Sequence, residues 1–242
     1  MSNNNLNTET SKEVVQADKK SIVSILKSWK FILVVFLILI SILGYWLISN
    51  TNLINNYADK VYPGAYILNK NLAGLNNNDL HSTLISLVED ISNKKVNVEA
   101  NEQNFEISYK DLEATINYEK LEDDILSFGK NEGFFRKINL IKKPENREYG
   151  FEVLFNEEKL TSFVSSISNA VDVSPTNASI DISGGAINIS NDSTGLKLNS
   201  TDLIDKIKSQ IKDMKAPNVV EVTGNVDVVE ANIKASALSN VN

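Results

Sequence analysis

VNVEANEQNFEISYKDLEATINYEKLEDDI, residues 96–125, lies without a gap over ASIDISGGAINISNDSTGLKLNSTDLIDKI, residues 178–207, at a constant offset of 82. Nine apolar positions pair, among them Val98 with Ile180, Phe105 with Ile187, Ile116 with Leu198 and Leu121 with Leu203. Six positions are identical, including Asn117/Asn199 and Asp123/Asp205. Both stretches also pass through the same order of patterns: alternation, a turn, alternation, a short extended segment, then an i, i+4 apolar stripe. An internal repeat decides the architecture before any motif does. It moves the expectation away from catalysis and towards a binding or spacing module.

The similarity extends upstream. Leu160, Phe163, Val164, Ile167, Ala170 and Val171 mirror the helical stripe Leu80, Leu84, Leu87 and Val88, and 149–155 matches a first strand around Tyr62–Ile67. Each unit therefore reads as strand, helix, hairpin, short strand, helix, over 61–128 and 148–213. Residues 101–104 and Gly184-Gly185 are the predicted hairpin turns. Asn76-Asn77-Asn78-Asp79, Asn117 and Asn199 precede helices, where asparagine caps free N–H groups. Two further β-like runs, Val219–Val222 and Val226–Val229, flank Gly224-Asn225. The predicted class is α+β: an N-terminal transmembrane helix, then two repeated units of amphipathic helices packed on small, mostly antiparallel sheets.

Phe31 to Ile48 is eighteen residues without a charge, enough to span a hydrocarbon core. Lys12, Lys19, Lys20, Lys27 and Lys30 precede it, which places the N-terminus in the cytoplasm. The long leading segment and the absence of a small-x-small site favour a retained signal anchor over a cleaved signal peptide. The predicted organisation is a disordered cytoplasmic tail (1–30), the anchor (31–48), a stalk (49–60), the first unit with a basic linker (61–147), the second unit with its terminal hairpin (148–235), and a tail (236–242).

From residue 50 onward there are 19 basic and 28 acidic side chains, a net charge of −9, which argues against nucleic acid as a partner. The chain has no cysteine, so disulfides, thiolate catalysis and cysteine zinc sites are excluded. The single histidine, His81, has no partner cluster in sequence and reads as an exposed polar residue. Glu122-Asp123-Asp124 lacks the alternating spacing of a calcium loop and reads as a solvated helix face. No cofactor and no metal is implied.

At VYPGAYILNKNLAGLNNNDL, residues 61–80, Pro63-Gly64, Tyr66-Ile67, Leu72, Gly74-Leu75 and Leu80 resemble the entry motif of the YoaR-like peptidoglycan-binding domain. Gly129-Lys130 through Arg136, Asn177-Ala178 and Gly195–Leu198 are similar to later motifs of that family. One departure is Glu113, which stands where the family commonly has glycine. The resemblance implies a non-catalytic, anchored envelope protein of a Gram-positive bacterium whose partner is peptidoglycan or another cell-wall polymer. Such domains usually precede a VanW or an L,D-transpeptidase domain. An alternative reading is therefore the stem of a truncated or split protein of that type, with a further domain expected after Asn242. A second alternative is a structural spacer or assembly module that contacts another envelope protein.

The segment KNEGFFRKINLIKKPENR, residues 130–147, carries six basic residues against two acidic ones inside the acidic whole. Lys130, Phe134, Arg136, Lys137, Lys142 and Lys143 are the candidate ligand-binding residues. Cations there would hold wall carboxylates or phosphates, with the aromatic rings packing on sugar faces. The competing reading is a solvated linker anchored to the core by Phe134 and Phe135, the commoner fate of a charge run.

Overall fold

The uncharged run folds as one helix, α1 (Trp29–Asn56). Its apolar side chains from Phe31 to Ile48 are exposed, and with a mean hydropathy of 2.9 it is long and apolar enough to cross a membrane. Ser41 returns its hydroxyl proton to the Leu37 carbonyl at 2.9 Å, so this polar group is satisfied within the helix. The helix passes the expected end at Ile48 and takes in the first residues of the 49–60 stalk, because Leu53 and Ile54 prolong its apolar character. The computed structural model describes residues 29–183 and 186–239. The N-terminal lysines up to Lys27, expected to be cytoplasmic, and the expected turn at Gly184-Gly185 lie outside the described residues.

From Asp59 onward the chain forms a second compact unit with its own core. A short strand β1 (Ala65–Ile67) turns back into β2 (Lys70–Asn71) and leads to helix α2 (Asn77–Ser92). The hairpin β3 (Lys95–Ala100) and β4 (Gln103–Ser108) follows, then β5 (Thr115–Ile116) and α3 (Tyr118–Ser127). Helix α4 (Phe134–Lys142) and strand β6 (Arg147–Glu148) come next. The plan then recurs as β7 (Val153–Leu154), α5 (Glu157–Val171), β8 (Ser179–Ser183), β9 (Ala186–Ser190), β10 (Gly195–Leu198) and α6 (Ser200–Ile211). Strands β11 (Val219–Thr223) and β12 (Val226–Val229) and the one-turn helix α7 (Ala235–Leu238) complete it.

The element orders of the two stretches are similar, except that β2 has no counterpart in the later one, and their helix caps are alike. Asn117 and Asn199 have nearly the same backbone angles (φ −78°, ψ 76° and φ −77°, ψ 82°), and each side chain accepts from the N–H three residues on. Helix α2 packs on α3 and β5, and α5 packs on α6 and β10. Asn117→Ala and Asn199→Ala should each cost about 1 kcal/mol in urea unfolding, the usual worth of such a cap.

The two stretches do not fold as separate units. Strand β5 pairs antiparallel with β7 of the later stretch, and β11 pairs parallel with β3 of the earlier one, Val220 opposite Val96 and Val222 opposite Val98. The β5–β7 and β3–β11 pairings thus tie the earlier stretch to the later part of the chain, while β10 pairs with β12, and one continuous core runs from Leu80 and Leu84 to Leu160, Ile167, Leu203 and Ile207. The pairing is mostly antiparallel; β1–β6 and β11–β3 are the parallel exceptions among the described residues.

Two local readings are corrected. The first hairpin turns on two residues, Asn101 and Glu102, both with positive φ, so β4 starts at Gln103 and not after Asn104. Mirror-image turns match the right-handed twist of the strands, and asparagine tolerates that backbone region. In the second hairpin the aligned isoleucines are not core. Ile180 faces Ile189 and Ile182 faces Ile187, yet Ile182 is 72% and Ile187 63% exposed, whereas Val98, the counterpart of Ile180, is fully buried. Val96, Val98, Ala100, Val220 and Val222 of β3 and β11 lie against the helical core, whereas no residue of β8 or β9 belongs to that core among the described residues.

Candidate functional site: an arginine-lined pocket

The Pro63-Gly64 turn and the 144–147 segment approach more closely than any side chain at Gly64 would allow. Gly64 has φ +91°, and a Cβ there would lie 2.4 Å from the Glu145 carbonyl oxygen. The Arg147 N–H donates to the Gly64 carbonyl at 2.7 Å, and the Tyr149 N–H donates to the Tyr66 carbonyl at 2.7 Å. These bonds lay β6 parallel to β1, with Ala65 opposite Arg147, and fix where the Arg147 side chain starts.

The second wall comes from α4, a helix that replaces the predicted linker. Gly133 opens it, and Ile138, Leu140 and Ile141 bury one face. Phe135 is 73% exposed and packs edge-on against Phe134 at 5.5 Å, so the buried aliphatic residues, not Phe135, fasten the segment. Arg136 stands one turn before Leu140, and i, i+4 positions share a helix surface. Arg136 and Arg147 therefore border the same pocket of about 330 Å³. Pro63, Phe128 and Leu140 supply its apolar side, and Glu145 and Asn146 complete the polar side.

The chain has 24 basic residues, and these two are its only arginines. Every ion pair among the described residues uses a lysine or His81, so neither guanidinium has a carboxylate partner there. The Arg147 guanidinium lies 4.3 Å from the centre of the Phe128 ring and 5.6 Å from that of Tyr149, a cation–π arrangement that orients it. The Tyr149 hydroxyl is buried beside the Arg147 side chain. Burial pushes its pKa up, and the Arg147 charge works against that rise. The stacked Arg147 guanidinium, with Arg136 on the opposite wall and an apolar side between, suits an anionic planar group, which the arginine fork binds through paired N–H donors.

Of the predicted residues, only Arg136 lines this pocket. Lys130 is turned inward: its ammonium donates to the Lys60 carbonyl at 2.5 Å and lies 4.0 Å over the Tyr62 ring. Desolvation lowers its pKa to about 8, only partly countered by Asp59. A folded lysine that releases its proton near pH 8 leaves the unfolded chain binding more protons up to the ordinary value of 10.5, so stability rises with pH across that window. Urea unfolding should show the wild type gaining stability relative to Lys130→Met from about pH 8 to 10.5. A parallel pH dependence in the two proteins would contradict this. Phe134 and Lys137 are half-buried on α4, and Lys142 and Lys143 lie exposed at its C-terminal end.

Arg147, Pro63 and Phe128 were not among the predicted site residues. A compositional signal pointed to the first: two arginines amid so many lysines, both in one short segment. Two other concave regions of the second unit are bordered by carboxylates, Asp124 and Glu152 in one and Asp111 and Glu158 in the other, which oppose an anionic ligand. His81 pairs with Glu122 at 3.0 Å and meets the Tyr118 ring edge-on, so it does have neighbours, brought by α3. Among the described residues no group of three or more potential ligands is placed to hold a metal ion.

No curated protein matches the chain. One solved structure, described as "Structure of the Ldtfm-avibactam carbamoyl enzyme", matches with 13% identity and a TM-score of 0.29, over 64% of this chain and 49% of that one. The chain thus spans about half of that protein's length, and so distant a likeness carries no argument about function. Residues 105–219 match the family model described as "Putative peptidoglycan binding domain", a stretch that includes every residue of the arginine pocket except Pro63.

Proposed function

We propose that this protein associates with the cell wall without catalysis, from a single-pass anchor whose N-terminus is cytoplasmic and whose second unit lies outside the membrane. The observation that carries the reading is the coincidence of the peptidoglycan-binding match with the pocket that holds both arginines. The apolar helix α1 supplies the anchor, and Lys30 at its N-terminal side agrees with positive-inside orientation. The matching local structures of 61–128 and 148–213 support a duplicated unit of the YoaR-like type as the origin of the fold. The full chain in detergent micelles should pellet with purified sacculi and stay in solution without them. A chain that remains in the supernatant with sacculi present would remove the wall-binding reading.

One observation favours a second reading, an envelope assembly module. The hairpin of β8 and β9, on which α7 packs, leaves Ile182 and Ile187 largely exposed side by side, a feature more common at protein contacts than on free surfaces.

A further inference from the structure

Resting on the wall-binding reading, we infer that the arginine pocket receives the free C-terminal carboxylate of a wall peptide, and not a run of sugar residues. The first reason is donor geometry. A guanidinium offers paired, coplanar N–H groups that match both oxygens of a carboxylate, whereas an ammonium acts as a point charge. In a chain that otherwise uses lysine for positive charge, both arginines border one cavity.

The second reason is charge balance. Glu145 shares the pocket with the two guanidiniums, so one net positive charge faces the ligand, which suits a monoanion better than a polyphosphate chain. The third is size and lining. A pocket of about 330 Å³ is at the small end for ligand sites, fit for the end of a molecule. Pro63 and Leu140 form an apolar wall beside the guanidiniums that accepts a small aliphatic side chain such as that of alanine.

The aromatic ring of the pocket is not a sugar platform. Phe128 already has the Arg147 guanidinium on it at 4.3 Å, and the exposed ring, Phe135, is not in the lining.

The test uses the full chain in detergent micelles, titrated calorimetrically with four probes and assayed in parallel for pelleting with sacculi. The probes are a short peptide ending in D-alanine with a free carboxylate, its C-terminal amide, a chitin oligosaccharide, and a poly(glycerol phosphate). The free acid should bind and should displace the chain from sacculi, the amide at least about tenfold more weakly, as expected when a charge-assisted bond is lost. Arg136→Ala and Arg147→Ala should each abolish the difference between acid and amide. Equal binding of acid and amide, or binding of the oligosaccharide or the polyphosphate alone, overturns the inference. If the chain pellets but the free acid neither binds nor competes, the carboxylate assignment fails and wall association stands. If the acid binds but the chain does not pellet, the wall reading fails and the pocket assignment stands.

Discussion

Gly64→Ala should lower the stability of the second unit by about 3 kcal/mol, from two separable costs. A β-carbon at φ +91° is strained, by about 1–2 kcal/mol for an L residue in the left-handed region. The same carbon would sit 2.4 Å from the Glu145 carbonyl oxygen and 3.1 Å from the Pro144 side chain, so the 144–147 segment must retreat. For a body of this size the loss corresponds to a fall in Tm of roughly 6–12 °C. Gly74 is the control: it has φ +79° with nothing within 4 Å, so Gly74→Ala should show the conformational cost alone. Because Arg147 is tied to Gly64 through its N–H, the folded fraction of Gly64→Ala should also bind sacculi weakly. Equal melting of the two alanine variants would show that the close approach does not matter.

Removing both guanidiniums should have the largest effect on binding. Charge-assisted hydrogen bonds contribute about 1.5–3 kcal/mol each, so Arg136→Ala and Arg147→Ala should each weaken sacculus binding by roughly tenfold or more. Neither side chain has a carboxylate partner among the described residues, so Arg136→Ala should move Tm little, whereas Arg147→Ala also loses the stacking on Phe128 and should melt about 1–4 °C lower. Arg147→Lys separates fork geometry from charge. It keeps the positive charge but loses the planar donors and the stacking on Phe128, and it should resemble alanine more than wild type. Full retention of binding by Arg147→Lys would point to bulk electrostatics. Charge reversal of Lys142 or Lys143, which lie outside the pocket lining, should matter less.

What could be read from the chain was whatever depends on neighbours in sequence. An uninterrupted apolar run gave α1; alternation and i, i+4 stripes gave the hairpins and the helices α2, α3, α5 and α6; and Asn76, Asn117 and Asn199 cap α2, α3 and α6 by accepting from the N–H three residues on. Helix α4 escaped because it is short and its charges dominate the pattern. Its signals were nonetheless present in Gly133 before it, Pro144 after it, and Ile138, Leu140 and Ile141 on one face.

The pocket escaped for a different reason. Arg147 acquires its position from a parallel pairing with Ala65, more than eighty residues upstream, and no local spacing records such a contact. Lys130 looked like a ligand-binding cation because a charge run does not show which members point inward. Its use on the Lys60 carbonyl and the Tyr62 ring is a tertiary fact. The same holds for the second hairpin, where alternation identified the strands but not that their apolar face lies off the main core, which leaves Ile182 and Ile187 exposed.

The central claim, that this protein holds the cell wall through Arg136 and Arg147, is tested most directly by sedimentation of wild type and Arg136→Ala/Arg147→Ala, each as the full chain in detergent micelles, with the same sacculi. The prediction is that wild type pellets, and that the double variant, folded and melting cooperatively within a few degrees of wild type, stays in the supernatant. Equal pelleting of the two proteins would contradict it.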